Sequence, residues 1–255
     1  MYAEVAPPAS VAGIVDCLWV RRSDTDDGPT LVLPDGCFDL IWTPGAEVML
    51  AAPDTRAVEV PANRSPLYVG LRFGPGVGRS VLGVRMSDLL DARVAASEVL
   101  AEHPDDDRRI VADLLARAEQ TTSARAAFGM LSHLGEALVR SARLDSTAMR
   151  ASRLLRDPAR SVASVAADLD VPERTLGRRM TEQVGYGPKM LQRVMRLQGF
   201  LRLADAAVSG SDALGRRTLS LAELAERAGY ADQPHLSRDA TRLTGRTPAS
   251  LLAAR

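Results

Sequence analysis

The stretch AERAGYADQPHLSRDATRLTGRTP, residues 225–248, decides the fold of the C-terminal part of the chain. It begins like an amphipathic helix and breaks at Gly229, which tolerates the positive φ of a tight turn. A second helix is predicted from about Gln233, and Pro234 falls near its start, where no N–H is needed. Asp232 precedes this helix and is expected to cap it. The spacing predicts a helix-turn-helix unit.

An earlier stretch, SVASVAADLDVPERTLGRRMTEQVGYGP at 161–188, repeats this pattern approximately. Asp170 stands where the second unit has Gly229, and Pro172 again begins a helix. Leu176 and Leu236 are expected to point into the core. A connecting helix over about 188–207 could hold the two second helices about 34 Å apart, which is one turn of DNA.

The outward faces of the two second helices carry polar side chains that suit DNA. They are Glu173, Arg174, Gly177 and Arg178 in the first unit, and Gln233, His235, Ser237 and Arg238 in the second. Arginine can bind guanine through two hydrogen bonds, and glutamine can bind adenine in the same way. A single polar face is usually only solvated, but two faces at matching offsets favour a nucleic-acid interface.

The charge distribution favours the same interpretation. Residues 1–149 hold 14 arginines against 21 acidic residues, a net charge of −7, whereas residues 150–255 hold 18 basic against 11 acidic residues, a net charge of +7. This asymmetry indicates two domains, the second facing a polyanion. No apolar run approaches the roughly 18 residues of a membrane span, and the N-terminus lacks the features of a signal peptide. We therefore expect a cytoplasmic protein without a membrane partner, associated with the nucleoid when it binds DNA.

Residues 150–255 resemble the DNA-binding domain of the AraC/XylS family of bacterial transcription regulators. The matching segments are 163–176 with Arg179, GYGP at 185–188, and AGYADQPHLSR with TGRTP, compared with G-F-x-D-Q-S-H-F-S-R and G-x-[ST]-P in the family. The departures from the family pattern are Met180, Leu236, Ala240 and Leu243 at aromatic core positions, Pro234 in place of serine, Gly177 at a base-reading position, and about ten extra residues at 208–217.

This resemblance implies which positions face the bases. They are Arg174, Gly177 and Arg178 in the first unit, and Gln233, Pro234, His235 and Arg238 in the second, with Ser237 as a weaker contact. Arg174, Arg178, Gln233 and Arg238 are the expected readers. For His235, local packing is an equal alternative.

Residues 1–102 are predicted to be rich in β-strands, because short apolar runs alternate with turn residues. The segments 33–42, 70–76 and 81–94 resemble an uncharacterised cupin-like domain found ahead of AraC-type domains. The resemblance implies a small β-barrel that senses an effector or supports dimerisation. Five aromatic residues are expected either to fill its core or to line a pocket for a small molecule: Trp19, Phe38, Trp42, Tyr68 and Phe73.

An enzyme is not expected. A metal-dependent cupin enzyme needs two or three histidine ligands, and the chain's histidines are His103, His133 and His235, none of them within residues 1–102. The sequence therefore predicts no metal and no cofactor. Cys17 and Cys37 leave open a thiol-responsive regulator, although cysteine is more commonly a small buried apolar residue.

The predicted fold class is α+β with two domains. A cupin-like β-barrel (1–102) is followed by a helical hairpin (103–148), which either covers the barrel core or dimerises. A DNA-binding domain (149–255) holds helix-turn-helix units at about 161–184 and 220–244. The expected partners are double-stranded DNA, a small-molecule effector, RNA polymerase in the case of an activator, and a second copy of the chain. The alternative class is a protein-interaction module that has lost DNA binding.

Overall fold

The computed structural model describes residues 1–22, 28–61, 65, 67–101, 108–209 and 219–253. The strands are β1 (Tyr2–Val5), β2 (Val15–Arg22), β3 (Thr30–Val32), β4 (Phe38–Trp42), β5 (Met49–Ala51), β6 (Val58–Val60), β7 (Leu67–Phe73) and β8 (Arg93–Ala95). The helices are α1 (Gly78–Leu82), α2 (Ala96–Leu100), α3 (Arg108–Gln120), α4 (Ala124–Ser141), α5 (Ser146–Leu154), α6 (Val162–Asp168), α7 (Glu173–Val184), α8 (Pro188–Ser209), α9 (Leu221–Arg227), α10 (Gln233–Thr244) and α11 (Pro248–Ala253).

The N-terminal part is built on an antiparallel sheet with the strand order β1-β2-β7-β4-β5-β8. A second, two-stranded sheet pairs β3 with β6. In the larger sheet, successive side chains point to opposite faces. Leu18, Leu40 and Leu71 lie on one face and are at most 1% exposed, whereas Trp19 and Ile41 flank Gly70 on the other.

Helices α3 and α4 cover the apolar face of the large sheet. Leu131, Leu134 and Leu138 of α4 are at most 1% exposed within this core. The indole Nε1 of Trp42 donates a hydrogen bond to the carbonyl oxygen of Ala118 at 2.7 Å, which ties β4 to α3. The predicted hairpin therefore packs its apolar face on the sheet. Ile110 of α3 remains 44% exposed.

The C-terminal part contains helices α5 to α11 around a separate core. Leu176, Leu197, Phe200, Leu236 and Leu243 are fully buried in it. The α+β architecture expected from the sequence, a sheet-rich N-terminal part followed by a helical C-terminal part, is confirmed. Within the described part of the chain, no helix is long and apolar enough to cross a membrane.

Candidate DNA-binding surface and N-terminal cavity

The first helix-turn-helix unit consists of α6 and α7. Ser161 and Ser164 form a capping box that begins α6. The turn places Asp170 at φ 52°, the left-handed conformation expected from the sequence. Pro172 is the N-cap of α7, and the helix ends at Gly185, where φ is 96°. These local signals fix how α7 leaves the turn.

The second unit repeats this construction with α9 and α10. Ser220 and Glu223 form its capping box, and Gly229 takes the turn position with φ 82°. The carboxylate of Asp232 accepts a hydrogen bond from the backbone N–H of His235 at 2.6 Å, so Asp232 caps α10 as expected. Leu176 and Leu236 are both fully buried. Each unit therefore turns the opposite face of its second helix outward.

Most of the expected DNA-contacting side chains lie on these outward faces. Arg174, Arg178, Gln233, Pro234 and Arg238 are exposed, while Gly177, His235 and Ser237 are half-buried. Among the described residues, neither Arg174 nor Arg238 has a carboxylate within 4.0 Å, and Arg178 lies 3.7 Å from Glu182 on the next turn. The arrangement leaves guanidinium groups of both units accessible to a phosphate or a base edge.

His235 packs locally. Its ring meets that of Tyr230 edge-on at 5.2 Å, and its Nδ1 accepts a long hydrogen bond of 3.4 Å from the backbone N–H of Ala231. Its Nε2 lies 3.7 Å from Asp239, which is only 6% exposed and 4.0 Å from Arg193 of α8. Asp239 therefore faces the interior and adds little negative charge to the outward face.

Two protein-family models match this chain. Residues 165–254 match the model described as a helix-turn-helix domain, and residues 3–95 match a domain of unknown function, DUF6597. The C-terminal part is an AraC-type helix-turn-helix domain. The matched segment covers both units, including their second helices α7 and α10.

Three solved structures illustrate what this chain is similar to. The C-terminal domain of AraT, a response regulator from Geobacillus stearothermophilus, is 24% identical with a TM-score of 0.37, over 45% of this chain and 89% of that one. ToxT from Vibrio cholerae is 11% identical with a TM-score of 0.46, over 92% of this chain and 98% of that one. A ToxT structure bound to an unsaturated fatty acid is 12% identical with a TM-score of 0.44, over 92% of this chain and 94% of that one. No curated protein matches.

Two glycines, one inside α7 and one in the turn of the second unit, are expected to respond to alanine in opposite ways. Gly177 lies inside α7 with nothing within 4 Å of an added Cβ, so we expect Gly177→Ala to stabilise the domain by about 0.5–1 kcal/mol. At Gly229, φ is +82° and an added Cβ would overlap Pro158. Gly229→Ala is therefore expected to destabilise it by about 2 kcal/mol or more. Urea unfolding of both variants measures these effects, and equal shifts would contradict the assigned turn.

A cavity of about 490 Å³ lies between the large sheet and the β3–β6 sheet. Trp19 and Tyr68, two of the five aromatic residues considered for a pocket, line it. Phe38, Trp42 and Phe73 do not line it, which corrects their assignment to the pocket and leaves them in the other expected role, filling the core. They point to the opposite face of the sheet, where they are at most 2% exposed under α3 and α4.

The charged residues of this cavity were not among the expected site residues. Arg72 projects into it and lies 3.1 Å from Asp39, 3.5 Å from Asp35 and 4.0 Å from Glu4. Burial raises the pKa of Asp39 despite the opposing effect of Arg72. The sequence does contain a signal for these residues. FDLIW and LYVGLRF each carry one charged residue, Asp39 and Arg72, at a position that alternates with core residues, which indicates a charged group on the face opposite the core.

The positions and the pKa values of the two cysteines argue against a thiol-responsive regulator. Cys17 lies on β2 and Cys37 precedes β4, and these strands are separated by β7. Two strand spacings amount to about 10 Å, which exceeds the Cα separation that a disulfide allows. Burial raises the pKa of Cys17 to about 12 and that of Cys37 well above its usual value, so neither thiol is readily ionised.

Proposed function

We propose that this chain is a DNA-binding transcription regulator whose helices α7 and α10 enter successive major-groove segments. The observation that carries the proposal is the pair of matching helix-turn-helix units with accessible arginines at equivalent places. Helix α8 joins them through 22 residues, which corresponds to about 33 Å. That length suits two recognition helices one turn of DNA apart. Arg174, Arg178, Gln233 and Arg238 are the proposed readers.

A footprint of the purified full-length protein on the DNA upstream of its own gene tests this proposal. We expect a protected stretch of about two helical turns, because each unit covers one major-groove segment. A Leu236→Arg variant, which disrupts packing of the second unit, is expected to lose the half of the footprint that α10 covers. Absence of specific protection at every upstream segment, with a folded protein, would contradict the proposal and favour the protein-interaction alternative.

Salt dependence provides a second prediction for the same complex. If six or more phosphates are contacted by arginines, raising the salt from 50 to 200 mM lowers the affinity by about 10³-fold or more, because counterions are released. Fluorescence anisotropy with a labelled duplex measures this slope. An affinity that is independent of salt would show that phosphates are not part of the interface.

The proposed control by the N-terminal part is supported by contacts between the two parts. The amide of Gln198 on α8 donates to the carbonyl oxygen of Pro34 at 2.7 Å. The backbone N–H of Ala57 donates to the carbonyl oxygen of Leu243 at 2.7 Å, and Arg246 lies 3.0 Å from Glu59 on β6. The β3–β6 sheet, which covers the cavity, thus also contacts the end of the second unit.

A small-molecule effector in the cavity would act through these contacts. The β3–β6 sheet covers the cavity, and at its β6 edge Ala57 contacts Leu243 of α10 and Glu59 contacts Arg246. A displacement of this sheet would therefore change the placement of the second unit relative to the first. A second copy of the chain, and RNA polymerase in the case of an activator, are the other proposed partners. The extra segment that separates α8 from the second unit falls largely on 210–218, outside the described residues.

A further inference from the structure

The residues that line the N-terminal cavity restrict the chemistry of the ligand that it can bind. The following inference rests on the proposed role of this part of the chain as a sensor. The cavity is roomy enough, at about 490 Å³, for a molecule with one or two rings. Its apolar wall includes Ile41, Met49 and Val60, so the ligand has a hydrocarbon or aromatic body.

Negative charge exceeds positive charge at one end of the cavity. Arg72 is the guanidinium that faces three carboxylates there, those of Glu4, Asp35 and Asp39. Arg93, which also lines the cavity, is paired with Asp54 at 2.5 Å. Arg21, also on the lining, lies 5.9 Å from the centre of the Tyr68 ring and donates a hydrogen bond to Thr30. Among the described residues that line the cavity, Arg72 is the one guanidinium within 4.0 Å of these three carboxylates, and Arg156 and Arg202 lie beyond them in an adjoining cleft.

Asp54 adds an independent observation. Its side chain is only 7% exposed, and its Oδ2 accepts from Arg93. Its Oδ1 is buried and has no hydrogen-bond partner among the described residues, and the hydroxyl of Tyr68 is in the same condition. Both residues line the cavity. A buried acceptor without a donor is unfavourable, so a ligand that brings an N–H or O–H group to Asp54 would satisfy it.

An aromatic surface adjoins these carboxylates. The indole of Trp19 lies flat over Gly70, where any larger residue would overlap it. Its Nε1 donates to Asp39 at 2.7 Å, which fixes the orientation of the ring. The ring of Tyr2 lies 6.1 Å from that of Trp19. A cation is attracted to the face of an aromatic ring and to the nearby carboxylates at the same time.

We propose that the cavity binds a small organic cation, an amine with an aromatic or hydrocarbon body, as the ligand of the N-terminal part. The ammonium group lies near Glu4, Asp35 and Trp19, and a hydrogen-bond donor of the ligand reaches Asp54. A carboxylate ligand of the same size is rejected, because it would meet three carboxylates that share one guanidinium.

Matched pairs of probes test the sign of the charge directly. Tyramine and 4-hydroxyphenylacetate share a phenol ring and differ in the ammonium or carboxylate group, and tryptamine and indole-3-acetate differ in the same way. Full-length protein is heated with each probe. At a concentration about 100 times Kd, an amine should raise the Tm of the N-terminal part by about 5–10 °C, and its acid partner should leave the Tm unchanged.

Variants then locate the site. Glu4→Gln, on the exposed edge strand, and Asp35→Asn should each weaken amine binding by about 5–10-fold, measured by calorimetry. Asp113→Asn removes an exposed carboxylate of α3, 64% exposed, and should leave amine binding unchanged. The proposal is overturned if the acids stabilise the protein, or if neither member of any pair does. It is also overturned if the amines stabilise Glu4→Gln, Asp35→Asn and the unaltered protein equally. A footprint with the same preparation shows separately whether DNA binding stands.

Discussion

Replacing Arg174 and Arg238 together by alanine is expected to lower the affinity for the operator by about 30-fold to 10⁴-fold, or about 2–6 kcal/mol. Each residue lies on the outward face of a different unit, and each is exposed without a carboxylate within 4.0 Å among the described residues. Each single replacement should cost about 1–3 kcal/mol and relax selectivity at one base pair. The two costs should add, because the units lie far apart and share no partner.

Fluorescence anisotropy with the footprinted duplex at fixed salt measures this effect. The matched control is Arg109→Ala with Arg125→Ala, which removes two exposed arginines from α3 and α4. The control should change the affinity by less than about threefold, because net charge acts on DNA only through screened, long-range attraction. A double variant that is no weaker than the Arg238→Ala single variant would show that only the second unit reads DNA.

The helix-turn-helix units could be predicted from the sequence because their determinants are local. Ser220 with Glu223, Gly229 and Asp232 act on groups within three or four residues, through caps and a turn. The same holds for Asp170 and Pro172 in the first unit. Exposure of Arg174 and Arg238 follows from the burial of Leu176 and Leu236, since helical periodicity then fixes the opposite face.

The cavity could not be predicted in the same way, because its lining depends on strand register. Trp19 lies opposite Gly70, and Trp42 lies opposite Val69, so the two tryptophans point to opposite faces of one sheet. The face to which each tryptophan points is set by pairing between strands that are about 30 to 50 residues apart in sequence, and no local sequence pattern indicates it. The contact between Ala57 and Leu243 is likewise a long-range result of folding.

Replacing Trp42 by alanine is expected to destabilise the N-terminal part by about 3–5 kcal/mol, as is usual for a fully buried tryptophan. Trp42 is 0% exposed and packs between the sheet and the helices α3 and α4. The replacement removes this packing and also leaves the carbonyl oxygen of Ala118 without the hydrogen bond from the indole at 2.7 Å. Urea unfolding followed by circular dichroism measures the loss.

Trp42→Phe keeps a six-membered ring in the core, and it removes the donor to Ala118 together with a smaller part of the packing volume, at an expected cost of about 1–3 kcal/mol. A loss below about 1 kcal/mol for Trp42→Ala would contradict the packing of α3 and α4 on the sheet. The helix-turn-helix units have a core of their own. Residues 146–255 of the Trp42→Ala protein should therefore stay folded and keep non-specific DNA binding at temperatures where the sheet has unfolded. Loss of that binding together with the sheet would mean that the contacts of Pro34, Ala57 and Glu59 hold the units in their active arrangement.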